Sequence, residues 1–105
     1  MNKTFKMGKM KLSVLLEKYS NGSICLTALT SDGEEWLTLS TNLDSSKQGE
    51  DKIFVKFDES YNELAQAMCG AGLLSPMYFE DRSGYNSYWL YMIMPKCFEI
   101  ADKQY

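Results

Sequence analysis

No histidine occurs among the 105 residues of this chain. That removes the commonest general base, every Ser-His-Asp or Cys-His pairing, and the imidazole ligands of a zinc site. The cysteines, Cys25, Cys69 and Cys97, are odd in number and form no C-x-x-C pair. They are expected to be free thiols in a reducing compartment, packed as small hydrophobes, with no metal and no cofactor. Long apolar runs are missing too: YWLYMIM falls well short of the roughly 18 residues of a membrane helix. LSVLL, ended by Glu17 and Lys18, is shorter than the roughly 7 to 15 residues of a secretory apolar region. Neither a membrane span nor an export signal is expected, so the chain reads as soluble and cytoplasmic.

Excess charge of one sign is also lacking. With 14 acids against 11 bases the net charge is −3, which weakly repels phosphate backbones and anionic membranes. It is also too balanced for an inhibitor that imitates DNA. Lys3, Lys6, Lys9 and Lys11 all precede the first acid, Glu17, so residues 1–9 read as a basic arm ahead of the first strand.

What is present is strand pattern. Leu12, Val14 and Leu16 alternate, followed by Ile24, Leu26 and Ala28, then Leu37 and Leu39, an antiparallel meander of three strands over residues 10–41. A three-residue first loop, Ser20-Asn21-Gly22, sets Leu16 opposite Leu26 and Val14 opposite Ala28. A two-residue second loop, Asp32-Gly33, then sets Ala28 opposite Leu37 and Leu26 opposite Leu39. The same register puts Leu15, Thr27, Leu29, Trp36 and Thr38 on the other face, with Leu29 opposite Trp36.

Residues 42–51 have the composition of an exposed loop, and 53–57 (IFVKF) that of a strand. Ser60-Tyr61-Asn62-Glu63 matches a capping box, predicting a helix from Tyr61 with Tyr61, Leu64, Ala65 and Met68 as its apolar stripe and Gly70 as its C-terminal cap. A strand is expected over 77–80, a turn over 80–84 and a strand ended by Pro95. Residues 96–105 read as a short final element or a frayed end. The fold class is α+β, one domain over 1–105 with a mostly antiparallel sheet packed on one short helix.

Chemistry is sparse. The acid pairs Glu34-Glu35, Glu50-Asp51, Asp58-Glu59 and Glu80-Asp81 all adjoin turns or element ends, where charges are solvated. Gly70-Ala71-Gly72 follows the helix instead of opening one, which suits a cap and not a phosphate loop. The aromatic stretch 83–95 is the one concentration of binding-type residues. Alternation puts Tyr88, Leu90, Met92 and Met94 on one face of its strand and Trp89, Tyr91 and Ile93 on the other, so both faces are apolar. A central strand covered on both sides and a docking surface both satisfy that pattern. Stacking on single-stranded bases is weakly supported, since Arg82 is the one base between Tyr78 and Pro95.

The order KYSNGSICLTALTSDGEEWLTLSTNL, IFVKFDESYNELAQAMCGAGLL and SGYNSYWLYMI resembles a family of small proteins of unknown function carried on conjugative transposons and plasmids of gut anaerobes. The likeness covers most of residues 10–93, and the extension after Pro95 departs from it. The resemblance implies a compact α+β domain in a mobile-element setting and assigns no activity to any residue. The expectation is therefore a non-enzymatic accessory protein of a mobile element that binds a protein partner or a second copy of itself. Its candidate binding residues are Trp36, Tyr85, Tyr88, Trp89 and Tyr91. The alternatives are a nucleic-acid-associated protein using the lysine arm, and an inhibitor of a host defence enzyme.

Overall fold

The computed structural model of the chain describes residues 4–19, 22–41, 52–83 and 86–103, with the side chains of 78–83, 86 and 103 outside that description. The elements run β1 (Thr4–Met7), β2 (Met10–Lys18), β3 (Ile24–Leu29), β4 (Glu35–Thr38), β5 (Ser40–Thr41), β6 (Lys52–Lys56), α1 (Glu59–Gly70), β7 (Leu74–Ser83), β8 (Asn86–Ile93), α2 (Pro95–Ile100) and β9 (Asp102–Lys103). The fold is α+β, as expected, but the strands divide into two sheets. One runs β1-β2-β3-β4, with β9 added to β2; the other runs β5-β6-β8-β7. All pairings are antiparallel except β2 with β9, where Leu15 and Leu16 lie beside Asp102 and Lys103.

The first hairpin has the expected register, Leu16 with Leu26 and Val14 with Ala28. Gly22 takes φ 87°, a left-handed conformation that a side chain rarely adopts. The Tyr19 amide donates to the Ser23 carbonyl at 2.8 Å, closing the three-residue loop. The second loop differs from expectation. The Thr30 amide donates to the Glu34 carbonyl at 2.8 Å, so residues 31–33 make a three-residue loop here as well, with Gly33 at φ 84°. Ala28 nevertheless pairs with Leu37, because Leu29 pairs with Glu35 and the extra residue, Trp36, is absorbed as a bulge. The expected Leu29–Trp36 pair is thereby overturned.

The helix starts earlier than Tyr61. Asp58, extended at φ −147°, ψ 144°, is the N-cap, and its carboxylate accepts the Ser60 amide at 3.0 Å. The predicted stripe is buried at Leu64, Ala65 and Met68, while Tyr61 is half-buried. At the other end Gly70 is still helical and Gly72 makes the left-handed turn, φ 78°. The Gly72 amide donates to the Cys69 carbonyl and the Leu73 amide to that of Met68, a Schellman motif with Leu73 and Met68 both buried.

Residues 4–7 and 96–103 are more ordered than the sequence suggests. Residues 4–7, expected within a basic arm, form β1, and Phe5 is buried because it faces the core opposite Leu12. The expected turn over 80–84 is not found over 80–83, which belong to β7 and pair with β8 as far as Ser83 and Asn86. Pro95 does follow the end of β8, but as the first residue of α2, whose missing N–H suits that position. The end after it is docked, not frayed: Cys97 is buried in α2, and β9 follows.

Leu39 joins the two sheets. Its amide donates to the Leu26 carbonyl at 2.8 Å, continuing the first sheet, and the chain then turns into β5 of the second. The Leu26 amide is left facing Ser40, whose buried hydroxyl accepts it at 2.9 Å. The Tyr19 hydroxyl donates to the Ser40 carbonyl at 3.2 Å, and burial raises the phenol pKa above its ordinary value. Ser40→Ala is expected to strand the Leu26 N–H, costing about 1–3 kcal/mol. Calorimetry should then show a Tm lower by about 4 °C or more; an unchanged Tm would mean that the amide has another partner.

One hydrophobic core spans both sheets, with Leu12, Leu16 and Leu26 from the first, Ile53, Val55 and Ile93 from the second, and Leu64 and Met68 from α1. A smaller cluster of Phe54, Tyr88 and Leu90 lies on the opposite face of the second sheet, with Met77 against it. Period two explains the split, since Phe54 pairs with Leu90 while Ile53 and Val55 pair with Tyr91 and Trp89.

Candidate functional site

Strand β6 ends where α1 is capped, and Phe57 lies between them. It continues the Ile53-Val55 side of the strand beyond the core, and 60% of it stays exposed. Its ring centroid is 5.9 Å from that of Trp89, tilted by 41°, a favourable aromatic geometry. Trp89 and Tyr91 come from β8 on the same side, both half-buried. Opposite them stands one flank of α1, where Asn62, Gln66 and Cys69 recur at helical spacing. With Pro76 of β7 these residues enclose a cleft of about 560 Å³.

Two titratable groups line this cleft among the described residues, Cys69 and Tyr91. Burial pushes the Cys69 thiol up. It pushes the Tyr91 phenol up as well, with a smaller contribution from the neighbouring Cys69. Both groups are therefore protonated near neutral pH, the wrong state for a nucleophile or a base. The cleft can take an apolar or aromatic group against Trp89, Tyr91 and Pro76, and hydrogen-bond a polar one through Asn62 and Gln66.

At the N-terminal end of α1 the cleft opens into a second depression lined by Phe57, Asp58, Glu59, Asn62, Glu63 and Gln66. Phe57, Asn62 and Gln66 line both, which makes one groove along the helix. Phe57, Trp89 and Tyr91 line its floor, and Phe57 reaches the end where Asp58, Glu59 and Glu63 make the rim acidic.

The expected binding residues do not form a single site. Trp89 and Tyr91 meet in the cleft. Tyr88 does not, because alternation turns it to the opposite face, where it is 7% exposed beside Phe54 and Leu90. Tyr85 lies outside the described residues. Trp36, 47% exposed, sits across α1 in another depression of about 250 Å³ with Met7, Leu37, Ser60 and Glu63, of which only Glu63 also lines the groove. The bulge sets Trp36 beside Leu37 on the helix side of the sheet, not on the outer face that strict alternation gives.

Reading the sequence misses Phe57, Asn62, Gln66 and Cys69. Phe57 falls at a strand end, where period two no longer shows which face is covered. The other three stand at i, i+4 and i+7, a stripe of small polar residues adjoining the apolar one, which was the available signal.

Elsewhere, Lys6 and Lys11 are exposed directly opposite each other on β1 and β2, a like-charge pair that the ladder disfavours. Among the described residues no three Cys, Asp or Glu side chains are grouped to hold a metal ion. No helix among them is long and apolar enough to cross a membrane. No protein-family model, no curated protein and no solved structure matches the chain.

Proposed function

We propose that this chain is a non-enzymatic protein-interaction module, an accessory protein of a mobile genetic element, which holds a protein partner in the cleft between α1 and β8. The observation that carries the reading is the Phe57–Trp89 pair at the mouth of the cleft. A single exposed apolar side chain is ordinary, but Phe57 continues into half-buried Trp89 and Tyr91. Aromatic side chains are the types that anchor protein contacts, and apolar area left in water is worth about 25 cal/mol per Å² once a partner covers it. The mobile-element setting is supported by the resemblance of residues 10–93 alone.

The test is site-directed photo-crosslinking in the host cell, with a photoreactive phenylalanine analogue at position 57 and, as control, at the exposed position 99 of α2. A discrete protein adduct formed from position 57 and not from 99 is the expected result. An adduct between two copies of the chain would identify the partner as itself. Absence of any adduct from position 57, in a chain whose circular dichroism is unaltered, would rule out the cleft as the contact.

A further inference from the structure

From the charges along the groove we infer that its occupant is an extended peptide segment of the partner carrying a lysine or arginine a few residues from an apolar anchor; this rests on the cleft being the contact surface. The described residues lining the two depressions include three carboxylates, Asp58, Glu59 and Glu63, and no lysine or arginine. Asp58 is engaged in capping the helix, whereas Glu59 and Glu63 form no ion pair within the described residues. They stand at i and i+4, where like charges oppose each other, so a cation from outside relieves a repulsion as well as forming a contact. The Phe57 ring, which lines both depressions, presents a face that also attracts a cation.

The length of the groove suits a chain segment better than a compact ligand. From Cys69, beside Tyr91 at the inner end of the cleft, to Glu63 and Glu59 is six and ten residues of helix, about 9 and 15 Å at 1.5 Å per residue. An extended chain advances about 3.3 Å per residue, so anchor and cation should be about three to five residues apart. Between them, Asn62 and Gln66 present side-chain amides, which donate and accept and so match the backbone of an extended segment.

The experiment is selection of a phage library of random linear twelve-residue peptides on the intact chain, followed by calorimetric titration of the selected peptides. Three chains are compared: wild type, Phe57→Ser and the double variant Glu59→Gln/Glu63→Gln, each first shown to melt at the wild-type temperature. The expected peptides combine an aliphatic or aromatic residue with a lysine or arginine three to five positions away. Phe57→Ser should weaken them about tenfold or more. The double glutamine variant should weaken them about three- to tenfold at low salt and flatten the dependence on salt. Neutral or acidic peptides that lose affinity with Phe57→Ser, but not with the glutamine variant, would overturn the basic occupant and leave the cleft as the contact. Peptides indifferent to Phe57→Ser, or no peptides at all, would overturn both.

Discussion

Leu39→Ala is expected to destabilise the folded chain by about 2–5 kcal/mol, a large part of the roughly 5–15 kcal/mol that holds a domain together. Leu39 is 1% exposed and stands at the step between β4 and β5, packed in the core to which both sheets contribute. Alanine retains the amide that donates to the Leu26 carbonyl, so the loss is one of side-chain packing and residual cavity, not of the hydrogen bond. Trp36→Ala, three residues earlier and far larger in volume removed, is expected to cost less, about 1 kcal/mol, because that side chain rests on a bulge with about half of it in water. Urea denaturation of the two variants decides the matter. Equal costs would mean that Leu39 is not the joint of the core.

Above pH 9 the chain should lose stability faster than a Cys97→Ala variant, by about 1.4 kcal/mol per pH unit. Cys97 is buried in α2, and burial pushes its thiol from 9.0 up to about 12. Below pH 9 the folded and unfolded chains both keep this proton, and the thiol makes no pH-dependent difference. Between pH 9 and about 12 the unfolded chain releases it while the folded chain retains it, so the contribution falls as pH rises and is exhausted near the folded value. Tyr19, Cys69 and Tyr91 are raised in the same direction, but they are present in both chains and cancel in the comparison. Denaturation under reducing conditions at pH 8, 9 and 10 gives the two slopes. Coincident slopes would mean that Cys97 is wet.

The candidate site is half legible in the sequence. Trp89 and Tyr91 were marked by alternation in an aromatic strand, but the same pattern marked Tyr88, which faces the other way into a small cluster of its own. What alternation cannot say is which face meets the helix. That depends on β6 pairing with β8, residues far apart in the chain, and on α1 crossing from β1 to β6 and β7. Phe57 acquires its role by the same long-range pairing, which brings Trp89 to it.

By itself the sequence determined the first hairpin and the buried stripe of the helix. Both follow from contacts a few residues apart, where a left-handed glycine sets loop length and the periods of 2 and 3.6 set which side chains share a face. Tertiary structure alone decided how the strands are shared out and where the groove lies. The bulge at Trp36 reconciles a three-residue loop with the apolar register on either side, a conflict that packing and not local preference resolves. The step at Leu39 divides the strands between two sheets so that both can cover α1 and share one core. The groove then forms between α1 and the second sheet, along the helix flank of Asn62, Gln66 and Cys69, which is why its aromatic floor and acidic rim, more than 20 residues apart in sequence at Glu63 and Trp89, line one groove.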